Sequence, residues 1–299
     1  MKLFRHYLIY FVISAVFLVP GIFALFSWGL KPGIDFTGGA LIEIKFEKSP
    51  VEFNLKSAGK KLEGVMPIER LQTSGKNQYL IKTKPIDNAT KDRAVALFKK
   101  DWGEAQVLRF ETIGPTLSKE LLVKTLTAVL IVALIITGYV WKQFGELKYG
   151  VSAILAMFHD SLILLGAFAL LGHFYNVEVD VLFVTALLTT LSFSVHDTIV
   201  VFDRIRELKR KHGRVSLKTL ADAAVLETFS RSINNSVTII IMLASLFLLG
   251  GETIRWFSLA LLIGAITGTY SSPFVAVPLL LLWEDVSRRV KSFKLKVKK

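Results

Sequence analysis

The sequence contains no cysteine, so disulfides and thiolate-bound metals are excluded, although the compartment is not fixed by that absence. It also lacks a His-Glu-x-x-His pair, the commonest helical zinc-hydrolase arrangement. Acidic residues are few: 24 Asp and Glu stand against 37 Lys and Arg, a formal net charge of +13. Such an excess suits nucleic acid or a membrane surface, and position decides between them. The basic residues flank apolar runs, so topology and contact with anionic lipid account for them, and no nucleic-acid partner is expected.

Apolar residues are what the chain has in abundance. They make up 52% of its 299 residues, with a mean hydropathy of +0.51, so much of this surface must face lipid. A helix needs about 20 apolar residues to cross the hydrocarbon. Runs of that kind occupy residues 7–30, 121–140, 151–171, 179–201 and 257–283, and a shorter one, 233–251, begins with Asn234, Asn235 and Thr238. Lys2 and Arg5 precede the first run as in a secretory signal, but its apolar stretch exceeds the roughly 7–15 residues of a signal core, so an uncleaved span is expected.

Orientation follows from Lys and Arg, which resist translocation. Residues 203–231 hold Arg204, Arg206, Lys209, Arg210, Lys211, Arg214, Lys218 and Arg231, and the tail 286–299 is similarly basic. Both are expected inside. The connections 174–178 and 250–255 contain only Arg255 between them and belong outside, so six spans leave both termini cytoplasmic. The expected organisation is span 1 within 1–30, a polar outer domain over 31–120, spans 2 to 6 over 121–285 with a basic loop at 203–231, and the basic tail.

Residues 31–120 are too long for a loop and too polar for the membrane. Alternation and spacing predict a strand at 40–46, a helix at 51–64, a strand pair at 68–73 and 79–83, an amphipathic helix at 88–101 and a strand at 106–112. That β-α-β-β-α-β order is the ferredoxin-like split motif. The expected fold is thus a six-span helical bundle with an α+β ferredoxin-like domain between spans 1 and 2. Nothing in the domain resembles a catalytic set, which favours a docking or substrate-contact module over an enzyme domain.

Ionisable residues inside apolar spans carry the functional signal, because a charge there costs roughly 2.5–3.5 kcal/mol on insertion scales. In span 4, Thr190, Ser194 and Asp197 fall at i, i+4 and i+7, a polar stripe ending in a carboxylate. Span 3 carries His159 and Asp160, with Ala153 and Ala156 on the Asp160 side permitting close helix contact. Span 5 begins with Arg231, then Asn234 or Asn235, Thr238, Met242 and Ser245 at helical spacing, a stripe able to face that of span 4. Asp197 is then a proton carrier with Arg231 as its counter-charge, or a member of a fixed ion pair or polar helix contact. Arg231 is either that counter-charge or a side chain snorkelling to the inner surface. Asp160 is either a second carrier or a packing carboxylate. His159 and His196 each neighbour an Asp in sequence and so point to another helix face, where hydrogen bonding suits them better than proton relay. The same geometry argues against zinc on His159, Asp160, His196 and Asp197, so no metal, cofactor or enzymatic activity is expected.

Three motifs carry a family resemblance. Gly33-Ile34-Asp35-Phe36-Thr37-Gly38-Gly39, just after span 1, resembles the glycine signature of the SecD/SecF export family. The run 194–207, Ser-Val-His-Asp-Thr-Ile-Val-Val-Phe-Asp-Arg-Ile-Arg-Glu, is similar to the family's fourth-span motif, and Arg231-Ser232-Ile233-Asn234 with Ser236-Val237-Thr238 is similar to the start of its fifth span. The resemblance covers essentially the whole chain. It implies the resistance-nodulation-division superfamily, the bacterial inner membrane, action beside the SecYEG channel on a translocating preprotein, and use of the proton-motive force to move outer domains. It also implies that Asp197 and Arg231 are the functional pair, and that a separate SecD completes the bundle. Gly33, Gly38 and Gly39 read either as a plain turn into the first strand or as a hinge. A small-molecule or lipid transporter of the same superfamily is the alternative; such transporters usually need two large outer domains.

Overall fold

The computed structural model describes residues 3–50, 53–62, 64–213 and 215–297. Val51 and Glu52 at the start of the helix expected over 51–64, Glu63 near its end, Arg214 of the basic connection, and Lys298 and Lys299 of the tail lie outside the described residues. The chain divides into two compact units, residues 32–127 and residues 1–31 with 128–299.

Helix α1 (Leu8–Ser27) precedes the polar unit, whose elements are α2 (Ile34–Thr37), β1 (Gly39–Phe46), α3 (Leu55–Leu62), β2 (Ile68–Gly75), β3 (Gln78–Thr83), α4 (Asn88–Trp102) and β4 (Ala105–Ile113). The strands form one antiparallel sheet in the order β2-β3-β1-β4, the ferredoxin-like arrangement that the element order implies. Period-2 alternation sets its inner face: Ala40, Ile42, Ile44 and Phe46 are buried, while Lys45 is exposed. They pack with Ile81 against Ala58 and Leu62 of α3 and Ala94 and Phe98 of α4. Phe53 seals one end of this core, with ring centroids 4.7 Å from Tyr79 and 5.1 Å from Phe46 and from Trp102. Two residues, Lys76 and Asn77, join β2 to β3, and Asn77 takes the left-handed conformation (φ 58°) that a tight hairpin requires. Asp87 caps α4, its carboxylate accepting the Thr90 N–H at 2.9 Å.

The rest of the chain is helical, and its first helix begins within the polar unit. Helices α5 (Pro115–Phe144), α6 (Leu147–Tyr175), α7 (Val181–Lys211) and α8 (Leu217–Leu249) are followed by α9 (Glu252–Ser271), which passes through a π-helical turn at Ser272–Ala276 into α10 (Val277–Val297). With α1 and the combined last helix, six are long and apolar enough to cross a membrane. Gly21 and Gly166 let α1 and α6 cross backbone on backbone: a Cβ on Gly166 would lie 2.4 Å from the Gly21 Cα.

The structure corrects one expectation here. Residues 203–231 are no loop: α7 runs on to Lys211, α8 begins at Leu217, and only the connection 212–216 interrupts them. A 31-residue helix is about 46 Å long, well beyond a hydrocarbon core of about 30 Å. Charges spaced for helix pairing explain the extension. Arg204 bonds Glu207 at 2.5 Å and Lys211 bonds Glu207 at 2.7 Å along α7, while Arg204 also reaches Glu227 of α8 at 2.5 Å. Lys148 of α6 bridges to Glu284 of α10 at 3.1 Å. Polarity in this stretch therefore marks solvated helix.

Candidate functional site

Two members of the span 4 stripe, Thr190 and Ser194, face the last span, and only Asp197 turns to α8. Thr190 and Ser194 are fully buried against α9, where Gly264 and Gly268 leave a groove. A Cβ on Gly264 would sit 2.0 Å from the Thr190 Oγ1, and one on Gly268 would sit 3.4 Å from the Ser194 Cα. Two glycines at i and i+4 expose backbone along one line of α9, and small polar side chains of α7 fill it. One turn further, the Thr198 and Ser272 hydroxyls meet at 3.0 Å, and Ser272 also donates to Gly268 O at 3.1 Å.

Asp197 stands at the border of this seam, half-buried, and turns to α8. Ser232 Oγ donates to its Oδ2 at 3.0 Å. Arg231 is the preceding residue on α8 and is exposed; among the described residues, Asp197 is bonded to Ser232 and makes no ion pair with Arg231. His196 is exposed. Asn234, Thr238, Met242 and Ser245 are likewise exposed on α8, with the Thr238 hydroxyl returned to Asn234 O at 3.0 Å, so the expected facing of the two stripes is replaced by an outward polar face. The residue of α8 that does turn inward is Ser236, which accepts from Thr269 of α9 at 2.7 Å.

Asp160 lies deepest, with 0% exposure. Ser271 Oγ donates to its Oδ2 at 2.5 Å, and His159 Nδ1 meets its Oδ1 at 2.9 Å. Adjacent His and Asp side chains thus do meet on α6. Ala153 and Ala156 are buried on this helix, as close contact demands. Gly264, Gly268, Ser271 and Ser272 are the site residues that sequence reasoning missed, and Ser232 was named there only within the fifth-span motif, without a role. The signal for the first four was present as Gly-x-x-x-Gly followed by Ser-Ser in the last span.

The glycine motif builds a tight launch for the central strand. Gly33 caps α2 and Asp35 sits in its first turn, while Gly38 and Gly39 take φ of 77° and 137°. A Cβ on Gly39 would lie 3.0 Å from Thr83 O, and one on Gly38 would lie 3.3 Å from Ser118 Oγ, so conformation and space both require glycine. Among the described residues no group of three or more His, Asp or Glu is placed to hold a metal.

A multi-span bundle with a buried polar seam and a ferredoxin-like unit after span 1 defines a class, and comparison supplies the family. Residues 94–286 match the model for "Protein export membrane protein SecD/SecF, C-terminal", and residues 23–50 match that for the "SecD/SecF GG Motif". The chain belongs to the SecD/SecF family of protein export membrane proteins. Its full-length similarity is to SecF: it is 38% identical over 291 residues to the protein translocase subunit SecF of Thermobaculum terrenum, covering 92% of both chains, and 35% identical over 283 residues to that of Anaerolinea thermophila, covering 93% of this chain and 92% of the other. Among solved structures it resembles SecDF, a translocon-associated membrane protein from Thermus, with 30% identity and a TM-score of 0.81 over 94% of this chain. The chain spans 38% of that SecDF molecule's length. SecDF in its super-membrane-facing form is similar with a TM-score of 0.65 and 29% identity.

Proposed function

We infer that the chain is the SecF subunit of a SecD–SecF complex in the bacterial inner membrane, using the proton-motive force to promote late steps of preprotein export through SecYEG. Asp197 takes up and releases the proton, and Arg231 is its movable counter-charge. The observation that carries this reading is the position of Asp197: a carboxylate within a membrane helix, half-buried, held by Ser232 beside Arg231, at the edge of a polar α8 face that this chain leaves uncovered. The larger SecDF chain supports a second half supplied by a separate SecD, and the exposed polar face of α8 favours that helix as the side on which it docks. Basic helix ends over 203–231 and the basic tail favour the cytoplasmic side for both, with the ferredoxin-like unit outside.

One charge moved through 100 mV yields about 2.3 kcal/mol, enough to bias a two-state rearrangement more than tenfold. The test is gradient-dependent preprotein export in vesicles containing SecD, the channel and this chain. Asp197→Asn is expected to abolish the gradient-stimulated part while the complex still assembles. Undiminished stimulation in that variant would remove Asp197 from the proton path.

A further inference from the structure

The cluster around Asp160 has no part in the pair just described. Its carboxylate is wholly enclosed and touches two groups able to hold or share a proton, the Ser271 hydroxyl at 2.5 Å and His159 Nδ1 at 2.9 Å. His159 is itself 7% exposed, and among the described residues its other ring nitrogen, Nε2, is buried without a hydrogen-bond partner. An orphaned ring nitrogen beside an enclosed carboxylate is costly in a bundle built only for packing.

We propose that Asp160 and His159 form a second proton-holding site, separate from Asp197, and that Ser271 conveys its occupancy to the π turn of the last span. The proposal rests on the proton-driven reading above. With neutral imidazole and ionised carboxylate the pair carries one negative charge. In that state Nδ1–H donates to the carboxylate; one further proton, on a carboxyl oxygen or on Nε2, makes the pair neutral overall, and the bond formed to it breaks again when the proton returns to water.

Ser271 has one hydroxyl proton and two acceptors, Asp160 Oδ2 at 2.5 Å and Gly268 O of its own helix at 3.3 Å. A hydrogen bond to an ionised carboxylate is the shorter and stronger of such choices. Protonating Asp160 weakens that hold and gives the hydroxyl to Gly268 O. Ser271 is the last α-helical residue before the π turn, and Ser272, the first residue of that turn, meets Thr198 at 3.0 Å, next in sequence to Asp197. Single π turns of this sort recur at functional sites. A polar chain therefore runs from Asp160 through Ser271 and Ser272 to the helix of Asp197.

The elements packed against α6 carry Tyr10 on α1, His196, Asp197 and the charged residues from Asp203 to Lys211 on α7, Glu252, Arg255 and Tyr270 on α9, and Glu284, Asp285, Arg288, Arg289, Lys291, Lys294 and Lys296 on α10. Among the described residues none is hydrogen-bonded or ion-paired to Asp160 or His159, so His159 is the titratable partner of Asp160.

Infrared difference spectra of the full chain with SecD in lipid vesicles, taken across pH, test the site without reference to export. The expected result is a protonated-carboxyl band that grows as pH falls, is lost in Asp160→Asn and persists in Asp197→Asn. Ser271→Ala, which keeps the carboxyl, should shift both its frequency and its midpoint. A spectrum unchanged by Asp160→Asn, or a band that Ser271→Ala leaves in place, overturns the proposal. Export assayed on the same vesicles separates the two readings: a titrating Asp160 with export indifferent to Asp197→Asn removes the first and keeps the second.

Discussion

Thr190 and Gly264 show how little space the seam leaves at the level of single residues. A methyl group on Gly264 would meet Thr190 Oγ1, Cγ2 and Cβ, all within 2.9 Å, and the β-branched side chain has little rotamer freedom to yield. Gly264→Ala is therefore expected to destabilise the bundle by about 1–3 kcal/mol, read as a lower unfolding temperature in detergent. Thr190→Ala in the same chain should recover part of the loss by removing Oγ1 and Cγ2. The stripe Thr190, Ser194, Asp197 was legible because helical spacing states which residues share a face. Spacing does not state which neighbour that face meets, and so the orientation toward α9 was not. The decisive residues there are two glycines with no side chain to announce them.

Among the elements, the strands were the most legible and the basic helix ends the least. Strand β1 starts one residue before its expected first position and ends where alternation stops, because one face must be dry. Helix α7 overran its expected end because ion pairs at three- and four-residue spacing support a helix in water, and Arg204 reaches across to Glu227 on the early part of α8. Helix α4 offers a test by pH. Bonds from the Thr90 hydroxyl and backbone N–H to the Asp87 carboxylate hold its pKa below the usual carboxylate range. A lowered folded-state value means that its stabilisation is complete above the unfolded-state pKa and is lost as pH falls through the folded one. Acid unfolding of the full chain, followed by the near-ultraviolet signal of Trp102 at the far end of α4, should begin at higher pH in Asp87→Ala.

For the molecule as a whole, the uncovered face of α8 matters most. Arg231, Asn234, Thr238 and Ser245 are exposed on a helix otherwise suited to lipid, and hydrocarbon offers such groups no partner. The expectation is that Asn234→Leu with Thr238→Leu reduces co-purification of SecD several-fold while insertion of the chain is unchanged. Leu126→Ala on the exposed apolar face of α5 should leave co-purification as it was. The π turn at Ser272–Ala276 bears on the molecule at this scale too. Such a turn accommodates one residue beyond the regular count, and each helical residue advances the azimuth by about 100°. The turn thus shifts the phase between the two halves of the last span, α9 presenting Gly264 and Gly268 to α7 and α10 presenting Glu284 to Lys148 of α6.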